Sequence, residues 1–235
     1  FALALAVGIT PELLPMIIAL NISKASIKMS HKGVLIKKLS VVENFGSMNV
    51  LCTDKTGTLT EDKIEVVKYL DLDGNDSLEV LRLGFANSYL HTGTKTPLDE
   101  AIEKYKDIDL SFYKKVSEIP FDFERRRDSI VFELVGEHIL VSKGAPEYIL
   151  QASNIDSISK QKAEDLFNTL SKEGYRVLAI GVKTMTEKKD SYDRNDEHDL
   201  KLAGFIAFFD PPKKDVKEVL DELKTKGISI KIITG

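Results

Sequence analysis

The chain of 235 residues has a single cysteine and no tryptophan. One thiol, Cys52, excludes an intrachain disulfide framework and a four-cysteine zinc site, and it points to a reducing compartment. Its surroundings, NVLCTD, read as a central strand in which a small apolar side chain is buried, so a redox role is not assigned to it. Excess charge of one sign is also missing: 33 Lys+Arg against 37 Asp+Glu leave a formal net charge of -4. Nucleic-acid binders usually present a basic face, so this balance argues against nucleic acid as a partner. Neither G-x-x-x-x-G-K-[ST] nor G-x-G-x-x-G occurs, so no P-loop or dinucleotide fingerprint explains nucleotide use. His31, His91, His138 and His198 are scattered without ligand spacing and receive no metal. No internal repeat is visible. With 43% hydrophobic and 30% charged residues, disorder and fibrous classes fall away.

What is present is uneven along the chain. Residues 1–20 (FALALAVGITPELLPMIIAL) carry one ionisable group, Glu12, in a run about as long as the ~20 residues that cross a bilayer. No basic segment precedes the run, and a carboxylate flanked by two prolines interrupts it, which argues against a signal peptide. The lack of an initiator Met and the stop at Thr234-Gly235, just after a strand-like run, suggest a piece of a larger protein. A polar helical stretch (NISKASIKMSHKG) follows the apolar run, then VLIKKL, then SVVENFGS with helical spacing, then the strand-like NVLCTD ending at Asp54. Near the other end Val216, Val219, Leu220 and Leu223 mark one apolar helical face closed by Gly227. The β-branched run ISIKIIT comes next and is expected to pair with NVLCT in one parallel sheet.

Between these ends the character changes. SIVFELVGEHILVS predicts an antiparallel hairpin turning at Gly136-Glu137. Ala163, Leu166, Phe167 and Leu170 predict an amphipathic helix that Gly174 ends before the strand YRVLAIGV. The pattern is an α+β insert inside an α/β domain. Residues 184–199 (TMTEKKDSYDRNDEHD) read as a mobile surface loop without chemistry.

The chemistry is concentrated in Asp54-Lys55-Thr56-Gly57-Thr58-Leu59-Thr60, a carboxylate at a strand end followed by a cation, hydroxyls and a glycine. Strand ends of open α/β sheets are where active sites lie, and the glycine lets backbone amides approach an anion. An aspartate is ionised at neutral pH and can attack phosphorus without a partner base, giving an aspartyl phosphate.

This motif resembles D-K-T-G-T-[LIV]-T of the P-type cation-transporting ATPases, members of the haloacid dehalogenase superfamily, and all seven residues match. The resemblance implies that Asp54 is the nucleophile and gives Mg²⁺ one oxygen, that the Thr56 carbonyl gives another, and that Thr58 and Lys55 steady the γ-phosphate of ATP. Related soluble phosphatases carry an acid two positions after the nucleophile. Here that position is Thr56, so water attack should be slow and the phosphoenzyme persistent. The family's other magnesium aspartates lie beyond residue 235, so the isolated chain should turn over poorly.

Further matches fall along the insert. Lys143-Gly144-Ala145-Pro146-Glu147 matches K-G-A-P-E, whose lysine lines the ATP pocket and whose glycine lets nucleotide approach the backbone. Phe123 matches the aromatic that stacks on adenine, although alone it also reads as core, and Arg127 lies where a basic residue reaches phosphate. Asp128 departs from the pattern, standing where many calcium pumps have lysine, a change expected to remove one phosphate contact. Asp99 takes the place of an acidic residue on the adenine side, and Arg176 that of an arginine that reaches the phosphates. A helix N-terminal carboxylate and a surface salt bridge are their respective alternatives. Asp210-Pro211-Pro212-Lys213 matches the hinge D-P-P-R, and Thr234-Gly235 begin the family's T-G-D. Asp210, Thr234 and Gly235 thus join the nucleotide residues.

At the membrane end, Thr10-Pro11-Glu12-Leu13-Leu14-Pro15 resembles P-E-[ML]-L-P of bacterial magnesium-transporting P-type ATPases. The two prolines should loosen the helix and expose carbonyls beside Glu12, an oxygen site suited to Mg²⁺ or Ca²⁺. The resemblance therefore implies an α/β, haloacid dehalogenase-like parallel-sheet domain, discontinuous and truncated, with an inserted α+β nucleotide-binding domain and the end of one transmembrane helix. Its parts would be the helix end at 1–22, the phosphorylation domain at 23–62 and 210–235, and the nucleotide domain at 63–209. The implied activity is ATP-driven transport of a divalent cation, by resemblance Mg²⁺, through an aspartyl phosphate in a multi-pass cell-membrane protein with cytoplasmic catalytic domains. Partners would be ATP, the cation, lipid and the remaining domains of the polypeptide. The alternatives are a calcium-type pump and a soluble haloacid dehalogenase-type phosphatase.

Overall fold

The computed structural model describes residues 2–61 and 63–233, with the backbone alone described at 2–12, 39 and 43. In chain order its elements are α1 (Ala2–Ser30), α2 (Val42–Phe45), β1 (Val50–Asp54), β2 (Glu65–Leu70), α3 (Leu78–Leu90), α4 (Pro97–Tyr105), β3 (Lys114–Asp122), β4 (Arg127–Leu134), β5 (Glu137–Gly144), α5 (Pro146–Ala152), α6 (Ser157–Lys172), β6 (Arg176–Thr184), β7 (Lys201–Phe209), α7 (Val216–Thr225) and β8 (Ser229–Ile233). They divide into two compact units, one formed by 1–55 with 214–235 and the other by 56–213.

In the first unit, β1 and β8 pair in parallel, with Val50 opposite Ser229 and Asp54 opposite Ile233, the pairing the two β-branched runs predict. α7 carries the predicted apolar stripe, yet none of its residues is buried. Cys52 is exposed, against the expectation of a buried position, because among the described residues β1 pairs with β8 alone and Cys52 is not covered. α1 runs unbroken through Pro11 and Pro15, so the expected opening between them is absent from the described backbone. A proline removes only its own N–H from the helix ladder, and the neighbouring turns retain theirs. The apolar half of α1 passes directly into Asn21-Ile22-Ser23-Lys24. Among the described residues no helix is long and apolar enough to cross a membrane.

The second unit is built on a six-stranded sheet of order β2-β7-β6-β5-β4-β3, all neighbours antiparallel. Alternation along the strands sends side chains to two faces. Ile130, Phe132, Val141, Ile180, Ile206 and Phe208 pack with Val80, Phe85, Leu98 and Ile102 of α3 and α4. On the opposite face Val177, Ala179, Leu202 and Phe205 pack with Ile149 of α5 and Ala163 and Leu170 of α6, while Val131 and Leu140 pack with Tyr192 and Leu200. Helix starts are fixed by side chains that accept otherwise unpaired amides. Asp156 caps α6 through the amides of Ile158 and Ser159, and Thr96 and Asp99 form a reciprocal capping box on α4 with Pro97 at its first turn. The β4–β5 hairpin turns at Val135-Gly136, both with positive φ (51° and 79°), one residue earlier than the sequence suggests. Residues 184–199 are not a detached loop: Tyr192 is buried with its hydroxyl 2.8 Å from Nδ1 of His138, and Glu197 is 2% exposed.

Candidate functional site

Asp54 is the exposed last residue of β1, and the amide of Lys55 continues the sheet by donating to the carbonyl of Ile233 at 3.2 Å. Within the second unit the motif goes on as a turn in which Gly57 takes φ 73°, a conformation that favours glycine, and donates its amide to Thr60 Oγ1 at 3.0 Å. Thr56 and Thr58 are exposed on this turn. The Asp-Pro-Pro-Lys segment holds it. Thr60 bridges to Pro212, the Lys213 amide donates to the Leu59 carbonyl at 2.9 Å, and Lys213 Nζ donates to the Gly57 carbonyl at 3.2 Å. Asp210 Oδ1 is buried with no hydrogen-bond partner among the described residues. Thr234 and Gly235 lie outside the described residues, and of Glu12 only the backbone, within α1, is described.

The insert brings a second group of predicted residues together. Lys143 is the penultimate residue of β5 and lies 4% exposed under α3 and α4. Its ammonium is ion-paired with Asp99 Oδ1, donates to Ser88 Oγ at 2.9 Å and sits 3.8 Å from Asp128 Oδ2. Asp99 takes the helix N-terminal role open to it in the sequence and a second one that the sequence did not offer. It is the N3 carboxylate of α4, accepting from the amide and hydroxyl of Thr96 at 2.8 and 2.7 Å, and it is also the counter-ion of Lys143. Burial alone pushes its carboxyl up, but Lys143 and the bonds from Lys143 and Thr96 outweigh this and hold it at about 2. Asp128, opposite Lys143 in the β4–β5 register, shows the reverse balance. Burial pushes its carboxyl up, Lys143 and His91 pull it back, and Asp99 and Glu197 add to the rise. One ammonium thus faces two carboxylates, one firmly ionised and one strained toward its neutral form.

The rim of this region is the β3–β4 turn. Phe123 is 87% exposed, which removes the core reading for it, and its ring stands perpendicular to that of Phe121 at a centroid distance of 5.4 Å. Arg127 points the other way. Its Nε donates to Glu197 Oε2 at 3.2 Å and its Nη1 to the Tyr148 carbonyl at 3.1 Å, so in this state its guanidinium is held by protein groups. Arg126, at φ 46°, is exposed and lies 5.7 Å over the Tyr148 ring. Gly144 is opposite Arg127, and a Cβ there would come within 2.4 Å of the Arg126 carbonyl oxygen. The close approach this glycine permits is that of the neighbouring strand. Arg176 is exposed at the start of β6. Open clefts of about 520 Å³ between β2 and α4, and about 630 Å³ beside Phe85 and Tyr89, are lined by none of the sequence-predicted site residues.

Three participants escape the sequence reading. Ser88 is an ordinary helical serine until tertiary packing places it beside Lys143. Thr96 was legible in principle, since Thr-x-x-Asp before an apolar helix is a capping signal. Glu197 sits in a polar stretch whose composition gives no sign of burial.

A family model described as "P-type ATPase, cytoplasmic domain N" matches residues 87–215, more than half of the chain. The chain belongs to the P-type ATPase family. The matched segment contains Asp99, Phe123, Arg127, Lys143, Gly144, Arg176 and Asp210, and Asp54 precedes it. Relatives align over the whole chain. "Magnesium-transporting ATPase, P-type 1" of Escherichia coli (strain K12) is 42% identical, and the protein of the same name from Salmonella typhimurium (strain LT2) is 41% identical. "Calcium-transporting ATPase 1" of Lactococcus lactis is 30% identical. The chain covers 100% of its own length in these alignments and 28% of the length of the first two relatives, 30% of the third. It is therefore similar to less than a third of each P-type ATPase.

Proposed function

We propose that the chain is the catalytic segment of an ATP-driven divalent-cation pump, with Mg²⁺ as the transported ion, that works through a phosphorylated Asp54. The observation that carries this reading is the position of Asp54 at the carboxyl end of a parallel strand, leading into a glycine turn of exposed threonines. An exposed carboxylate there can attack an incoming γ-phosphorus, forming the Asp54 O–P bond as the bond to ADP breaks. Thr56 supplies no acid to activate water against the product, so the acyl phosphate lasts. Mg²⁺ in phosphoryl sites takes one or two carboxylates together with substrate phosphates, a demand that the hard oxygens of Asp54 and the Thr56 carbonyl suit. When bound, the ion would screen the phosphate charge.

ATP would dock on the second unit, its adenine against Phe123 at the rim and its polar edge toward Lys143 and Asp99. Arg176, exposed at the start of β6, would meet phosphate, while Arg127 supports the turn. Magnesium as cargo is supported by the 42% and 41% identity to proteins named as magnesium transporters against 30% to one named as a calcium transporter. Glu12 would belong to the ion path, the remaining membrane helices and a haloacid dehalogenase-like sheet being completed by other segments of the protein.

The test is transfer of label from γ-³²P-ATP to the complete polypeptide. The label should resist acid, be released by hydroxylamine and be lost in Asp54→Asn. Undiminished hydroxylamine-sensitive label in that variant would refute the assignment.

A further inference from the structure

Among the described residues of the second unit, Glu197 is the most deeply buried carboxylate that the proposed reaction does not use. Its side chain is 0% exposed and accepts from three donors, with a fourth on its backbone carbonyl. Arg125 Nη1 is ion-paired with Oε2, Arg127 Nε donates to the same oxygen at 3.2 Å, Ser129 Oγ donates to Oε1 at 2.6 Å, and Arg127 Nη2 donates to the backbone carbonyl at 3.4 Å. Ser129 in turn touches Ser142 Oγ at 2.9 Å. Both arginines belong to the turn that carries Phe123. Local bonds also hold that turn: Asp122 Oδ1 accepts the amides of Glu124 and Arg125 at 2.7 and 3.2 Å, the Asp122 carbonyl accepts the Arg126 amide at 2.7 Å, and Arg125 Nη2 donates to the Pro120 carbonyl at 2.8 Å. On its other side the Ala145 amide donates to the Arg126 carbonyl at 3.0 Å and the Tyr148 carbonyl accepts from Arg127 Nη1, so Glu197 is the carboxylate among its distant anchors.

We infer that Glu197 is a positioning residue for nucleotide, clamping the β3–β4 turn through Arg125 and Arg127 so that Phe123 is held outward as a preformed platform for the base. The inference rests on the proposed docking of ATP at Phe123. Its physical content is the pairing of opposites in one short turn: Phe123 is 87% exposed while the arginines two and four residues later are anchored inward on a carboxylate with no exposure. An exposed aromatic on a free turn would lose entropy when it stacks, and a clamp removes most of that cost before the ligand arrives. Without the carboxylate two guanidinium groups would face each other across a buried site, and the turn would open to separate them.

A merely structural ion pair would lower stability without regard to Phe123. A double-mutant cycle separates the two roles. Titration of the full chain with ATP by calorimetry should show Glu197→Gln weakening binding about tenfold, the scale of one charge-assisted hydrogen bond. In a Phe123→Ala background the same change should alter affinity by less than about twofold, since the platform it serves is gone. AMP should lose the same factor as ATP, because the phosphates are not involved. Ser129→Ala removes one bond to Oε1 without stranding a charge. It should give a smaller loss, again abolished in Phe123→Ala, and it decides the matter if Glu197→Gln fails to fold by circular dichroism. Equal losses with and without Phe123, or unchanged affinity in a folded Glu197 or Ser129 variant, overturn the inference. If Phe123→Ala itself leaves ATP binding intact, the docking site is wrong and the clamp has nothing to serve.

Discussion

Replacing Asp99 by Asn and Asp128 by Asn should move stability in opposite directions, although both carboxylates face the same ammonium. Asp99 is held at about 2 against its ordinary 3.8. That depression corresponds to roughly 2.5 kcal/mol in favour of the folded state at ~1.36 kcal/mol per pH unit. Removing one partner of a buried ion pair typically costs ~3–5 kcal/mol, and the nearby Asp128, 3.8 Å from Lys143, softens the loss. Asp99→Asn should therefore destabilise by ~2–4 kcal/mol, lowering the melting temperature by roughly 4–16 °C for a unit of this size. Asp128 has the opposite sign. Its carboxyl is raised by burial, so ionisation at neutral pH works against folding, and Asp128→Asn should raise the midpoint by an amount that shrinks toward acid pH. Urea titrations of the chain at pH 7, followed by far-ultraviolet circular dichroism, give both values. Equal destabilisation by the two substitutions, or an Asp99→Asn protein as stable as the parent, would show that Lys143 does not distinguish its neighbours as described.

The depressed Asp99 and Glu118 carboxyls, both at about 2, contribute stability that is complete above their unfolded values near 4 and lost as pH falls toward 2; the urea midpoint should drop across that window, and less steeply in Asp99→Asn. Gly144→Ala places a Cβ 2.4 Å from the Arg126 carbonyl and should cost ~1–3 kcal/mol through strand displacement, read as a lower urea midpoint. Phe123→Ala removes a side chain that is 87% exposed, so stability should change by no more than ~0.5 kcal/mol while calorimetric ATP affinity falls by ~1–3 kcal/mol.

Local patterning made much of the fold legible. The parallel pairing of β1 and β8, the helix ending before Gly174 and the β4–β5 hairpin follow from apolar spacing and turn residues. The hairpin turn shifted by one position because Val135, a β-branched residue that resists positive φ, takes the first place of the turn at 51°. Longer-range facts were hidden. The exposure of Cys52 depends on how many strands flank β1, which a strand's own sequence does not encode. The polar run 184–199 looks like loop by composition, and only the distant arginines of another turn make a buried anchor of Glu197. At the candidate site, the motifs single out Phe123, Lys143 and Asp99, of which Lys143 and Asp99 do meet in an ion pair. The direction of Arg127, inward to Glu197, and the inward duty of Gly144 needed coordinates, since both are decided by which strand lies alongside.

The stitching of Leu59, Thr60 and Glu61 to Pro211, Pro212 and Lys213 ties together the two passages by which the polypeptide enters and leaves its larger unit. Lys213 and Gly57 touch although 156 positions separate them. The larger unit's two ends are thus clasped to each other by a few hydrogen bonds, so neither can fray without the other, and the threonines that follow Asp54 form one edge of that clasp.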